Sequence, residues 1–109
     1  MLDIGWCGGL SEAKKIATMA ESYELPIAPH DCTGPVVLAA GVHLSAASPN
    51  TLVQEVVRAF YHGWYQELAI DLPPLQGGYI RPLDKPGLGV RLRPGLADRP
   101  DAHVRVSRL

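Results

Sequence analysis

Three short apolar runs recur in the first half of the chain, and each closes on a polar residue: residues 1–4 around Asp3, 25–29 before His30, and 51–54 before Glu55. Runs this short and proline-bounded suit buried parallel strands better than helices. The stretches between them carry a different period. Leu10, Ala13, Ile16, Ala17 and Ala20 recur at helical spacing, with Lys14, Lys15 and Glu21 on the other side, which predicts an amphipathic helix over 11–23. Ser11 is its expected N-cap, and Glu12 falls in the first turn, where the helix dipole favours an anion. A second helix is predicted over 36–47, with Thr33 or Gly34 as cap and Pro35 at the first helical position. It is apolar on nearly every side, so it must be packed in, and His43 within it reads as a packing histidine rather than a ligand. Strand, helix, strand, helix, strand with brief loops indicates βαβ units and a parallel sheet, an α/β fold.

Composition narrows the function classes. The 109 residues are 47% hydrophobic and 19% charged, enough for one small domain. The 11 glycines and 10 prolines argue against an all-helical bundle and require long stretches of turn and loop. Ten basic and 11 acidic residues nearly cancel to a net charge of −1, which leaves no field to hold a polyphosphate backbone. Neither nucleic acid nor an anionic membrane is an expected partner. No signal-peptide pattern opens the chain, and its longest apolar stretch, 35–47, falls short of the roughly 20 residues of a membrane span. A cytoplasmic location is expected.

Cys7 and Cys32 form no CxxC pair, and with His30 they match no structural zinc spacing, so two reduced, largely buried thiols are expected. Gly8-Gly9 lacks the GxGxxG frame of a dinucleotide site and serves instead as a tight turn behind Asp3. Four of the seven aromatic rings, Phe60, Tyr61, Trp64 and Tyr65, cluster within residues 59–72 at near-helical spacing, which favours packing over ligand stacking. Residues 73–95 are rich in proline and glycine and predict short extended pieces laid over another surface. The tail, 97–109, is expected to be solvated.

Asp3, His30 and Glu55 stand 27 and 25 residues apart, each interval about one βα unit long. In parallel α/β folds the C-terminal strand ends converge on the ligand site. Adjacent strands lie roughly 4.8 Å apart, so an Asp on one strand end reaches a His on the next. A carboxylate bonded to one ring nitrogen fixes the tautomer and leaves the other nitrogen free as acid or base. The residues alone also permit a plainer reading, in which His30 caps a strand and Asp3 and Glu55 are solvated loop residues.

A resemblance weighs on that choice. Asp3, then Trp6-Cys7-Gly8-Gly9-Leu10-Ser11-Glu12-Ala13, Ile16-Ala17-Thr18-Met19-Ala20, Pro29-His30-Asp31, Asn50 and Glu55, and finally Pro86-Gly87-Leu88-Gly89-Val90 resemble, in order and spacing, the C-terminal part of the mandelate racemase/muconate-lactonizing-enzyme group of the enolase superfamily. More narrowly they resemble its galactonate dehydratase-type acid-sugar dehydratases. The resemblance covers about residues 3–94. It implies the last three strands of a modified (β/α)7β TIM barrel in residues 1–72, ended by Asp3, His30 and Glu55. It also implies that 73–109 is a closing segment that returns to a capping domain not included in this chain.

The resemblance further implies that His30 takes the α-proton of a sugar acid or assists loss of its β-hydroxyl. Asp3 orients His30, and Glu55 binds and stabilises the enediolate. His30 and Glu55 thus contact the substrate. Mg²⁺ is implied as cofactor, with its carboxylate ligands on upstream strands and none among these residues, so the chain alone is expected not to turn over substrate. A homo-oligomer is expected of the full-length protein. Two alternatives stand beside the dehydratase: a racemase or epimerase using the same dyad, and a non-catalytic remnant or interaction module. Open sheet edges predict poor solubility or association of the chain by itself.

Overall fold

A computed structural model describes residues 1–108. The first helix, α1, spans Leu10–Ser22, one residue earlier than the predicted 11–23 and two earlier than a Ser11 cap would start it. Gly9 holds the N-cap position, and no side chain caps the helix. The reason is the double glycine: Gly8 and Gly9 take φ of 105° and 96°, conformations costly for other residues, and the Gly9 carbonyl then accepts from Ala13 N–H at 3.0 Å. Ser11 is therefore inside the helix. The second helix, α2, spans Pro35–Ala46, with Gly34 at the N-cap and Pro35 at the first position. Lys14 of α1 donates to the Ala47 carbonyl at 3.0 Å, satisfying one of the open acceptors at the end of α2.

The three apolar runs lie side by side in chain order, joined by parallel bridges between Leu2 and Pro29 and between Ile27 and Thr51. They make single bridges rather than the full strands predicted. Pro26 and Pro29 have no N–H to offer a ladder, so bonding is confined to His30 N–H to Leu2 O at 2.7 Å, Leu52 N–H to Ile27 O at 2.9 Å and a few others. The first run turns away at once: Trp6 and Cys7 both donate back to the Asp3 carbonyl.

Beyond the third run come two short helices, α3 (Arg58–Tyr61) and α4 (Trp64–Leu68). The strands that follow are two residues each. The first, β1 (Ala69–Ile70), pairs antiparallel with the last, β4 (Arg91–Leu92), joining residues on either side of Leu72. Between them β2 (Leu75–Gln76) and β3 (Tyr79–Ile80) form a hairpin whose turn residues, Gly77 and Gly78, both have positive φ, as a two-residue hairpin turn of this twist demands. Residues 97–108 are mostly exposed, and one 3₁₀ turn spans Leu96–Asp98.

α2 explains how the halves cohere. Ala40 and Leu44 pack with Leu2, Ile4, Ala13, Ala17 and Ile27 in one apolar cluster, while Leu38 and Val42 pack with Tyr61 and Tyr65 in a second. A helix with a single apolar stripe could serve only one cluster. The aromatic group fills the second cluster, with Phe60 and Trp64 packed against it and the Trp64 and Tyr65 rings 4.5 Å apart edge to face. His43 is half-buried, its Nε2 3.4 Å from the Leu88 carbonyl. Both cysteines are free and half-buried, more accessible than predicted, because each sits in the loop that follows an apolar run; Cys7 packs only against the edge of the first cluster. Among the described residues no helix is long and apolar enough to cross a membrane.

Candidate active site

Parallel pairing sets the ends of the three runs beside one another, and their polar side chains meet there. His30 Nδ1 donates to Asp3 Oδ2 at 2.8 Å, and His30 Nε2 lies 3.7 Å from Glu55 Oε2. Asp3 is held on every side. Its Oδ1 accepts from Gly5 N–H at 2.7 Å, and its Oδ2 accepts a second bond, from the Thr33 hydroxyl, at 2.8 Å. The Asp3 side chain is only 9% exposed, whereas His30 is 31% exposed, so the carboxylate is fixed from beneath while the imidazole reaches the surface.

Electrostatics follow from these contacts. Desolvation pushes the Asp3 carboxyl up, but the bonds from His30, Thr33 and Gly5 outweigh it and hold the group below the usual carboxylate range. The hydrogen bond to Asp3 raises His30 above the usual histidine value. Partial desolvation opposes this, and the nearby negative charges of Glu55, Asp3 and Asp31 add to it. With Nδ1 engaged by Asp3, Nε2 is the nitrogen left to exchange protons with a bound molecule.

Four residues join this arrangement that sequence reasoning did not assign to it. Thr33 bonds Asp3, as described. Asp31 is completely buried; its carboxylate accepts from Val57 N–H at 2.9 Å and from the Tyr65 hydroxyl at 2.6 Å, while its own N–H donates to Glu55 Oε2 at 3.0 Å. Burial pushes both the Asp31 carboxyl and the Tyr65 hydroxyl up. Gln54 spans the second and third runs, donating to Pro29 O at 3.3 Å and accepting from the Ser45 hydroxyl of α2 at 2.8 Å. One signal for Asp31 was available. Neighbours on an extended segment point to opposite sides, so a residue beside an outward His30 points inward.

Known proteins resemble this chain in sequence and in fold. Residues 1–96 match the family described as enolase C-terminal domain-like. A D-galactonate dehydratase of Cronobacter sakazakii (strain ATCC BAA-894) is 40% identical over 95 residues, covering 83% of this chain and 25% of the dehydratase. Among solved structures, an enolase of the mandelate racemase subgroup from Agrobacterium tumefaciens is 60% identical with a TM-score of 0.81, covering 86% of this chain and 26% of that one. An enolase protein from Sargasso Sea environmental sequencing is 48% identical with a TM-score of 0.87, covering 96% of this chain and 28% of that one. The chain spans about a quarter of the length of these relatives. By the match over residues 1–96, it belongs to the enolase C-terminal domain-like family, with structural neighbours in the mandelate racemase subgroup of the enolase superfamily.

Proposed function

We propose that this chain carries part of the active site of an acid-sugar dehydratase, with its three apolar runs as the last three strands of a (β/α)7β barrel. The observation that carries this reading is the 2.8 Å Asp3–His30 hydrogen bond, which leaves Nε2 open beside Glu55. His30 moves the proton: Nε2 takes it from the carbon next to the substrate carboxylate, or delivers one to the departing β-hydroxyl. Asp3 keeps the proton on Nδ1 and steadies the imidazolium formed when Nε2 is protonated. Glu55 faces the same space and, in its acid form when substrate is bound, donates a hydrogen bond to the substrate carboxylate as it becomes an enediolate, where stabilisation lowers the barrier most.

The Mg²⁺ implied by the family resemblance finds no suitable set of ligands among the described residues. The grouped donors, Asp3, His30 and Cys32, include a thiol and an imidazole, whereas Mg²⁺ requires oxygen ligands in near-octahedral array. Both Asp3 oxygens are already taken, and so are both Asp31 oxygens. In this reading the metal is held by residues outside this chain, and the chain by itself gives no product.

A racemase would need the same dyad; the similarity to a D-galactonate dehydratase favours dehydration. A chimera in which residues 1–96 replace the matching segment of the Cronobacter enzyme tests the reading. Chimeras that keep the parent's elution volume and circular dichroism are expected to convert aldonic or aldaric acids to 2-keto acids. His30→Asn is expected to lower that rate by about 10²-fold or more. Full activity after that change would remove His30 from the mechanism, and substrate epimerised without keto product would favour the racemase.

A further inference from the structure

The residue beside His30 is bound into a reciprocal clamp. Asp31 donates its backbone N–H to the Glu55 carboxylate at 3.0 Å, and its own carboxylate accepts from the backbone N–H of Val57, two residues beyond Glu55, at 2.9 Å. Side chain holds backbone in both directions across the second and third runs. The Tyr65 hydroxyl of α4 closes on the other Asp31 oxygen at 2.6 Å, so the carboxylate cannot rotate without losing one of two bonds in a site closed to water. Burying a carboxylate is costly, and its retention here needs a return beyond packing. Glu55 has no other hydrogen-bond donor to direct it toward His30 among the side-chain bonds described.

We propose that Asp31 is a positioning residue, which, braced by Tyr65, holds Glu55 against the open nitrogen of His30. Its consequence for turnover rests on the dehydratase reading above, while the geometry and its direct test do not. Without the clamp the 55–57 segment is free to swing, and Glu55 leaves the face it shares with His30. Misplacement of such a group by about 1 Å can cost as much as 10²-fold in rate.

The test is a double-mutant cycle between Asp31 and Glu55, read on the titration of His30. Deuterium exchange at the His30 ring carbon, followed by mass spectrometry against pH, reports that titration in the chain and in the chimera alike. Four charged or titratable groups surround the ring: Asp3 at 2.8 Å, Cys32 at 3.6 Å, Glu55 at 3.7 Å, and the adjacent Asp31. Because Asp31→Ala removes a charge of its own, the quantity that decides is the effect of Glu55→Gln in each background. Glu55→Gln is expected to lower the His30 midpoint when Asp31 is present and to do so weakly or not at all in Asp31→Ala. Equal drops in the two backgrounds would overturn the proposal.

Should Asp31→Ala fail to fold, Tyr65→Phe replaces it, with a reduced effect of Glu55→Gln expected; an undiminished effect there would leave Asp31 a folding residue only. In the chimera, Asp31→Ala is expected to lower kcat roughly 10- to 100-fold with little change in KM. Asp31→Asn, which can still accept from Val57 and meet the Tyr65 oxygen, should recover most of that loss. Coupling without dehydratase activity would overturn the reaction and keep the clamp, whereas His30-dependent activity without coupling would do the reverse.

Discussion

Residues 1–57 and residues 69–108 are organised by different forces. In the first region two helices cover three runs whose polar ends are tied by buried or half-buried hydrogen bonds, and Asp3, His30 and Glu55 of the proposed centre lie there. In the second, two-residue strands are braced by ion pairs at the surface: Asp71 with Lys85 at 2.9 Å and Arg91 at 3.0 Å, and Arg99 with Asp101 at 2.8 Å. The contrast shows where chemistry can be placed. A proton-transfer group needs its orientation set from several sides, and surface ion pairs, screened and mobile, do not set one.

Core truncation should separate the regions most. Leu38 is fully buried on α2, and Leu38→Ala is expected to cost about 2–5 kcal/mol. Leu92 on β4 is 56% exposed, and Leu92→Ala should change stability by less than about 0.5 kcal/mol. Denaturant midpoints compare the two, and similar losses would erase the distinction.

The second effect is a pH window. Asp3 titrates below its usual 3.8 in the folded chain, so its stabilising share is present above 3.8 and lost as pH falls through the lower folded value. His30 titrates above its usual 6.5, so its share is complete below 6.5 and lost as pH rises through the folded value. The pair therefore contributes most between 3.8 and 6.5, and the stability difference between wild type and His30→Asn should peak there. A difference that stays flat across that range and into alkaline solution would mean the dyad is not coupled as described. If His30 abstracts the proton as proposed, the acidic limb of the chimera's rate profile is expected above the usual histidine value, because abstraction needs neutral His30.

The smallest effect is expected from Asp71→Asn, which removes the charge facing Lys85 and Arg91 while suiting the backbone φ of 62° at that position. Its change in thermal midpoint should be slight and should vanish at high salt. A large, salt-independent loss would show that the second region depends on its ion pairs after all.

Much of the first region was legible in its periodicities. The spacing of Leu10 to Ala20 marks α1, the all-round apolarity of α2 reports a helix serving two clusters, and the 27- and 25-residue intervals anticipate which polar groups meet. Other features were hidden, for physical reasons. Backbone freedom at Gly8 and Gly9 displaced the Ser11 cap, and Pro26 and Pro29 reduced expected strands to bridges. Pairing of β1 with β4 depends on contacts about 20 residues apart, which no local pattern announces.

The sequence by itself determined the periodic elements, the near-neutral charge, and the presence of a carboxylate, a histidine and a carboxylate at strand-end spacing. These are properties of residue type and interval. Tertiary structure alone decided that Asp31 is closed completely from water, and that Val57 and Tyr65, 26 and 34 residues away, take up its carboxylate. Burial and hydrogen-bond partnership belong to pairs of segments, and a pair exists only once the chain has brought them together.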